Sequence, residues 1–573
     1  MSVMMSFHKM RFNLFLSVLV ASACDRFDEL KRAEQVMPND VALAPIDVQK
    51  KSFVAYVARD SELLVVDVTT DPPYKSVKIN GDAPSWAKIN AYKILADGNR
   101  VMYVANQEKF LREDLYLATL DHPDKSRRLS AVTASGRQSM GVDSFKVSPD
   151  ESKVVYRADE THDEQFELIL VDLDKKDFPI TKISGELGSH ETVMNHYQFS
   201  VDGTRVYFQV ESNAGARQIA GSKDLYWSDI QKDIVSKPVR IHSSGDVRAF
   251  RLSADGSKLL YVSDHLYLVD VSGETSAKPI QLDPISSRHG RMTEDAMFTT
   301  DSSKIIYRAE QEKPLQTELY MVDVRNPLPQ SPTTISGELM PGGGVVSFQI
   351  TPDSSKVVFI ARKEHPNVRE IYVVDIRDTK PSFPVKLNGP MAVHGDVLSI
   401  LISPDGKKIA YIADEEVNDA HYLYYVDVSG APPYRSIRIN NPARADEDIL
   451  SHESFALDST KIIYAAGKNN LAAQKKIFLV DVSAKEPSLA RELNQDPTEE
   501  VVFHSKFSSD GEKLVYRSYR SNKTKLSWNL FLVDISNSKT PSKPLVLNDP
   551  LSPDDVIGEP TFFLQPIVKF AKN

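Results

Sequence analysis

Short apolar runs alternate with turn-forming residues along nearly the whole chain, and the alternation has a fixed period. Around Asp405, Leu398 to Ile402 is mostly apolar and Ser403-Pro404-Asp405-Gly406 follows. Ile409 to Ile412, Tyr422 to Val428 and Ser436 to Ile439 come next, before Asn440-Asn441-Pro442. Runs this short do not make helices, and the residues between them are turn chemistry: aspartate bonds its own backbone and glycine accepts a positive φ. The pattern predicts four short strands per unit.

The unit repeats. Its turn aspartate recurs at Asp97, Asp150, Asp202, Asp255, Asp301, Asp353, Asp405, Asp458 and Asp510. A base stands three residues after each one, from Arg100 to Lys513, and an aromatic six after, from Tyr103 to Tyr516. A second aspartate closes the third run at Asp67, Asp172, Asp229, Asp270, Asp323, Asp375, Asp427, Asp481 and Asp534, with Thr119 in that place in the second unit. Together these mark ten units. Four-stranded units at a period of roughly 50 residues predict an all-β fold, a β-propeller of about ten blades. The segments Ser403–Tyr411 and Leu423–Val428 resemble the repeats of TolB-like (WD-like) propeller proteins. That resemblance covers nearly all of residues 47–566 and implies the fold; such blades serve scaffolds, binding proteins and some enzymes.

The first unit lacks a Ser-Pro-Asp-Gly turn at its start, Val41 to Ser52, and one surplus run, Thr561 to Leu564, follows the tenth. One surplus strand and one deficient unit predict that the C-terminus completes the first blade, because open sheet edges invite aggregation. No Gly/Ser- or Pro-rich linker interrupts the array, so a single ring of ten is expected in preference to two rings of five.

The start of the chain reads as an address. Lys9 and Arg11 precede a mostly apolar stretch, Phe12 to Val20, too short to span a bilayer, and Ala21-Ser22-Ala23-Cys24 follows. This resembles a bacterial lipobox, although leucine is commoner than alanine at the position of Ala21. The resemblance implies a signal peptide over residues 1–23, lipidation at Cys24, a tether over 24–40 and an exported propeller over 41–573. The expected place is the bacterial cell envelope, with the body facing the periplasm or cell surface. Cys24 is the only cysteine of the 573 residues, which excludes intrachain disulfides and multi-cysteine metal sites. A formal net charge of −10 argues against nucleic acid as a partner.

Candidate chemistry lies on the first strand of each unit, the one nearest the axis of a propeller. Three residues before each turn aspartate the side chain is always apolar, which marks a core column. Four before stand Lys93, Lys146, Gln198, Arg251, Met297, Gln349, Leu401, Ser454 and Lys506, on the opposite side of the strand. Lys93, Lys146, Arg251 and Lys506 form a basic column in an acidic protein and are expected to face the axis. Six before, His196, His452 and His504 share one position, and His190, His242, His289 and His394 lie on connections between units. The second-to-third-strand loop is long in the fourth unit, Phe208 to Asp229, and short in the fifth, Tyr261 to Asp270.

Enzyme signatures are missing. His190-Glu191 is not followed by a histidine at the zinc-protease spacing, and Gly342-Gly343-Gly344 lacks the Lys-Ser/Thr of a phosphate loop. No Gly-x-Ser-x-Gly elbow occurs, and Asp446-Glu447-Asp448 lacks calcium-loop spacing. The expected function is non-catalytic binding of a protein partner or cell-envelope component, with no catalytic residue, resident metal or cofactor. The alternative is binding or lyase-like cleavage of an anionic saccharide, with a divalent metal required only for cleavage.

Overall fold

The computed structural model describes residues 50–566, apart from 70–71, 85, 132–139, 163, 213–220, 232–236, 243–245, 274–276, 285–292, 326–330, 441–446, 469–475, 495–500, 523–524, 549–556 and 558–559. Some strand side chains also lie outside the described set, those of His242, His452, His504, Phe562 and Phe563 among them. The lipobox with Cys24, and His289, fall outside the described residues.

Every sheet is a four-stranded antiparallel blade, and there are ten, arranged in a ring. In the unit around Asp405 the strands are Val397–Ile402, Lys408–Ala413, Tyr422–Asp427 and Ser436–Arg438, within a residue or so of the runs read from the sequence. The inner strand of blade 1 is supplied by Thr561–Pro566, antiparallel to Lys50–Ala58, with Phe53 opposite Phe563 and Val54 opposite Phe562. The surplus C-terminal run therefore fills the deficient first unit.

Ten separate apolar clusters hold the ring, one between each pair of neighbouring blades. Between blades 5 and 6, Leu260 and Leu268 pack with Ile305 and Tyr307. Between blades 10 and 1, Val515 and Leu532 pack with Val54 and Val66. Two rings of five would leave both of those faces exposed; the array is one closed ring. Within eight blades the repeat aromatic stacks on the aromatic opposite it on the third strand, with ring centroids 4.9 to 5.9 Å apart, as in Tyr261–Tyr267 and Phe208–Tyr226.

Candidate functional site

The repeat aspartates build turns. Asp150 accepts the Ser148 hydroxyl at 2.6 Å and the Ser152 amide at 3.1 Å, while the Lys153 amide donates to Ser148 Oγ at 2.9 Å. The Ser148 and Ser152 hydrogen bonds hold the Asp150 carboxyl below the usual carboxylate range. For Asp405 burial pushes the other way and is outweighed by the Ser403 hydroxyl and the Lys407 amide. The second aspartate column does the same work at the end of the third strand: Asp427 Oδ1 accepts the Ser429 amide, and Asp481 Oδ1 that of Ser483. The base column crosses to the next blade, with Lys408 Nζ donating to the Ser459 carbonyl at 2.7 Å and Lys513 Nζ to that of Val68 at 2.6 Å. These columns are structural, and both aspartate columns lie on one face of the ring, the turn face.

The opposite face carries the loops between second and third strands and the connections between blades. Chains run from this loop face down the inner strands. Of the expected core column, Phe199 and Phe455 are buried and the rest are half-buried. The residues four before the turn aspartate lean across to the next inner strand. Lys146 Nζ lies 5.2 Å from the centre of the Tyr197 ring, Arg251 Nε donates to the Ala296 carbonyl at 3.1 Å, and Gln349 Nε2 to that of Ile400 at 3.0 Å. Each of these partners stands five before its own turn aspartate. Met297 and Leu401 pack there against the following blade's apolar cluster. The column is thus partly an inter-blade seam, because each blade face meets a neighbouring blade. Lys93 and Lys146, on the neighbouring blades 2 and 3, are exposed; Arg251 and Lys506 are half-buried.

His196 is half-buried and stacks on Phe250 of the next blade at 4.3 Å. His452 and His504 occupy the inner strands of blades 9 and 10, and nothing described brings the three together. His190 and His394 are exposed on connections, and His242 ends the outer strand of blade 4. Among the described residues no group of three or more His, Cys, Asp or Glu side chains is placed to hold a metal ion.

Several features were not anticipated from the sequence. Arg157 Nε donates to the Val193 carbonyl at 2.8 Å while its Nη1 meets Asp143 at 2.7 Å. Arg308 does the same with Val345 and Asp295, and Gln209 reaches the Val247 carbonyl. These side chains follow the repeat aromatic and clasp the next blade, and the two arginines also neutralise acids beside the inner strands. In the short fifth-blade loop, His265 Nδ1 lies 2.8 Å from the buried Asp283 carboxylate. Asp283 replaces the Asn or Ser whose side chain accepts an amide in the first half of the third strand in other blades, as Asn388 does for Ile371. An acid in that column was the readable signal.

The loop face also exposes large apolar side chains. In blade 2, Phe110 and Leu111 form the hairpin tip between Arg100–Lys109 and Arg112–Thr119, 61% and 67% exposed. Trp86 meets the Phe110 ring edge-on at 5.7 Å, and the Met140 carbonyl accepts the Glu113 amide beside them. Leu315 stands 85% exposed on blade 6 and Val417 is exposed on blade 8.

No family model and no curated protein matches the chain. Solved structures similar to it include a prolyl endopeptidase, at 14% identity over 67% of this chain and 55% of that one, with a TM-score of 0.34. The dipeptidyl peptidase 4 of Porphyromonas gingivalis is 13% identical over 80% of this chain and 59% of its own, with a TM-score of 0.42. An oligogalacturonate lyase in complex with manganese is 14% identical over 66% of this chain and 94% of its own, with a TM-score of 0.32. The chain spans little more than half the length of the two peptidases. At these values the likeness concerns the propeller fold and says nothing of activity.

Proposed function

We propose that the protein is a lipid-anchored, exported binding ring of the bacterial envelope that holds an anionic envelope component without transforming it. The observation that supports this reading is the pair Lys93 and Lys146, exposed on adjacent inner strands of an acidic protein. Asp143, three residues before Lys146, pairs with Arg157. The Ser144 hydroxyl donates to Asn195 at 3.0 Å and meets the Tyr197 hydroxyl at 3.3 Å, so the wall beside Lys146 also offers polar groups. Two exposed ammonium groups on a polar wall suit carboxylate, sulfate or phosphate groups of a glycan or lipid.

The test uses dextran sulfate as a polyanion probe. Lys93→Ala with Lys146→Ala is expected to weaken binding by about tenfold at low salt, equivalent to about 1.4 kcal/mol. The difference should shrink as salt rises, because attraction at a wet site is screened over about 10 Å at 0.1 M. Equal affinity of wild type and double variant at low salt would remove the site.

A further inference from the structure

Blade 5 departs from the repeat where other blades carry permanent ion pairs. In blades 1, 3 and 7 an acid at the start of the third strand pairs with a lysine on the fourth. Glu62 meets Lys78 at 3.5 Å, Glu167 meets Lys182 at 2.7 Å and Glu370 meets Lys386 at 2.7 Å. Blade 9 reverses the two, with Lys476 and Glu492 2.6 Å apart. In blade 5 the same two places hold His265 and Gln281, and the acid stands two residues on, at Asp283. A pair built on histidine changes charge near neutral pH, whereas the lysine pairs do not.

The geometry fixes how the ring takes up a proton. His265 Nδ1 lies 2.8 Å from Asp283 Oδ2, while Asp283 Oδ1 accepts the Leu266 amide at 2.6 Å. An ionised carboxylate only accepts, so Nδ1 is the donor and a second proton enters at Nε2. Gln281 Nε2 lies 3.1 Å from Nδ1 and donates to the Asp283 carbonyl at 2.8 Å, bracing the pair from the fourth strand. The Asp283 side chain is 0% exposed and that of His265 15%, so water screens the pair little.

The pair stands at the seam where the inner strands are shortest. Those of blades 5 and 6 have four and two residues, Ala249–Leu252 and Met297–Phe298, against six to nine in the other blades. Little strand pairing therefore backs the inner side of this seam. His265 and Asp283 adjoin Leu266 and Leu282, which belong to the apolar cluster between the two blades, and the Leu282 amide donates to the Leu266 carbonyl at 2.8 Å.

We propose that His265 and Asp283 form a proton-controlled latch on the seam between blades 5 and 6, tight in mild acid and looser as pH rises. Protonation turns a hydrogen bond into an ion pair with a buried carboxylate. Its contribution is present below the histidine range and lost as pH rises through it. The surrounding charges act in both senses. Asp264 Oδ1 accepts the His265 amide at 2.9 Å and the Tyr267 hydroxyl at 3.3 Å, so this acid also favours the charged ring. Arg248 opposes it from the inner strand, donating to the Ser263 carbonyl at 3.1 Å, but its charge also meets Glu294 at 3.9 Å. From blade 6, Tyr307 faces Asp283; burial first and that carboxylate second push its hydroxyl up, so it stays neutral. Tyr267, edge-on to the His265 ring, is held up by burial and Asp264 in the same way.

Hydrogen exchange of the full chain tests the latch, read as protection factors, which remove the intrinsic effect of pH. The two conditions are pH about 5.5 and about 7.5, either side of the ordinary histidine value of about 6.5. The segment 262–270, which contains the Leu266 amide, should be several-fold better protected in acid. The matching segment of blade 7, 367–375, held by Lys386 and Glu370, should show no such difference. His265→Gln keeps a donor toward Asp283 without the charge, and Asp283→Asn restores the residue of other blades; either should make blade 5 as insensitive as blade 7. His289→Gln, outside the described residues, should keep the wild-type response. A flat response in the wild type, an equal response in blade 7, persistence in His265→Gln or Asp283→Asn, or loss in His289→Gln would each overturn the proposal. None of these readouts depends on the lysine pair or on the anchor.

Discussion

At the residue after each turn aspartate the backbone has positive φ in all nine blades that carry the turn. Five of these residues are glycine, for which the conformation costs nothing. The other four are Glu151, Ser302, Ser354 and Ser459, and each returns an inter-blade bond. Their side chains accept the amides of Ala96, Asp255, Asp301 and Asp405 in the preceding blade, at 2.7 to 3.1 Å. Strain in one turn is thus offset by a stitch to the next. Ser459→Ala should destabilise by about 1 kcal/mol, since it keeps the strain and leaves the Asp405 amide without its partner. Ser459→Gly should come close to neutral, because relief of the positive φ returns about 1 kcal/mol. Denaturant unfolding of both variants checks the order, and Gly less stable than Ala would contradict it.

Connections between blades are held at both ends by side chains from the following second strand. In blade 8, Glu415 accepts the Gly389 amide at 3.2 Å and the Tyr411 hydroxyl at 2.6 Å, while Asp414 accepts the Asp396 amide at the other end. Blade 3 repeats the device with Glu160 on Ala131 and Asp159 on Gly141, from the same Ala-Asp-Glu triplet. Gly141 is required there: its φ is +81°, and a Cβ would lie 2.1 Å from the Glu113 carbonyl oxygen. Burial pushes the Glu415 carboxyl above its ordinary value despite those two hydrogen bonds. A raised carboxyl binds its proton more tightly in the folded state, so its contribution is present at low pH and lost as pH rises through the folded value. Glu415→Gln should therefore raise the melting temperature by roughly a degree or two at pH 7 and leave it unchanged near pH 4. An equal shift at both pH values would show that charge burial is not the cause. The turn aspartates run the opposite way: held low, they stabilise above the ordinary carboxylate range and lose that contribution as acid protonates them.

For the whole molecule, closure rests on Thr561–Pro566. This strand pairs with six residues of Lys50–Ala58, and Thr561 Oγ1 meets the Tyr92 hydroxyl of blade 2 at 3.1 Å. Deleting residues 559–573 uncovers the inner edge of blade 1 and the side of its core at Phe53. Stability should fall by several kcal/mol from lost strand pairing and burial. A truncated chain melting within about a degree or two of the intact one would show that the ring closes without this strand.

The blade count, the four strands of each blade and the source of the missing strand were legible in the sequence, because each is a local pattern copied at a fixed period. An aspartate before a positive-φ turn, an aromatic on the second strand and an unpaired run at the end have the same meaning wherever they stand. Ring closure followed as well, since an odd strand and a deficient unit have one mutual solution. The candidate site was legible only in part. Lys93 and Lys146 could be assigned to inner strands, but only the packed ring showed that their column leans on the next blade and that two of its four bases stay exposed. The clasps of Arg157 and Arg308, the His265–Asp283 pair and the shared face of Phe110 and Leu315 join residues from different strands or different blades. Register along a strand follows from sequence period; what meets across a blade interface depends on twist and on the neighbour's own side chains, which only the tertiary structure brings together.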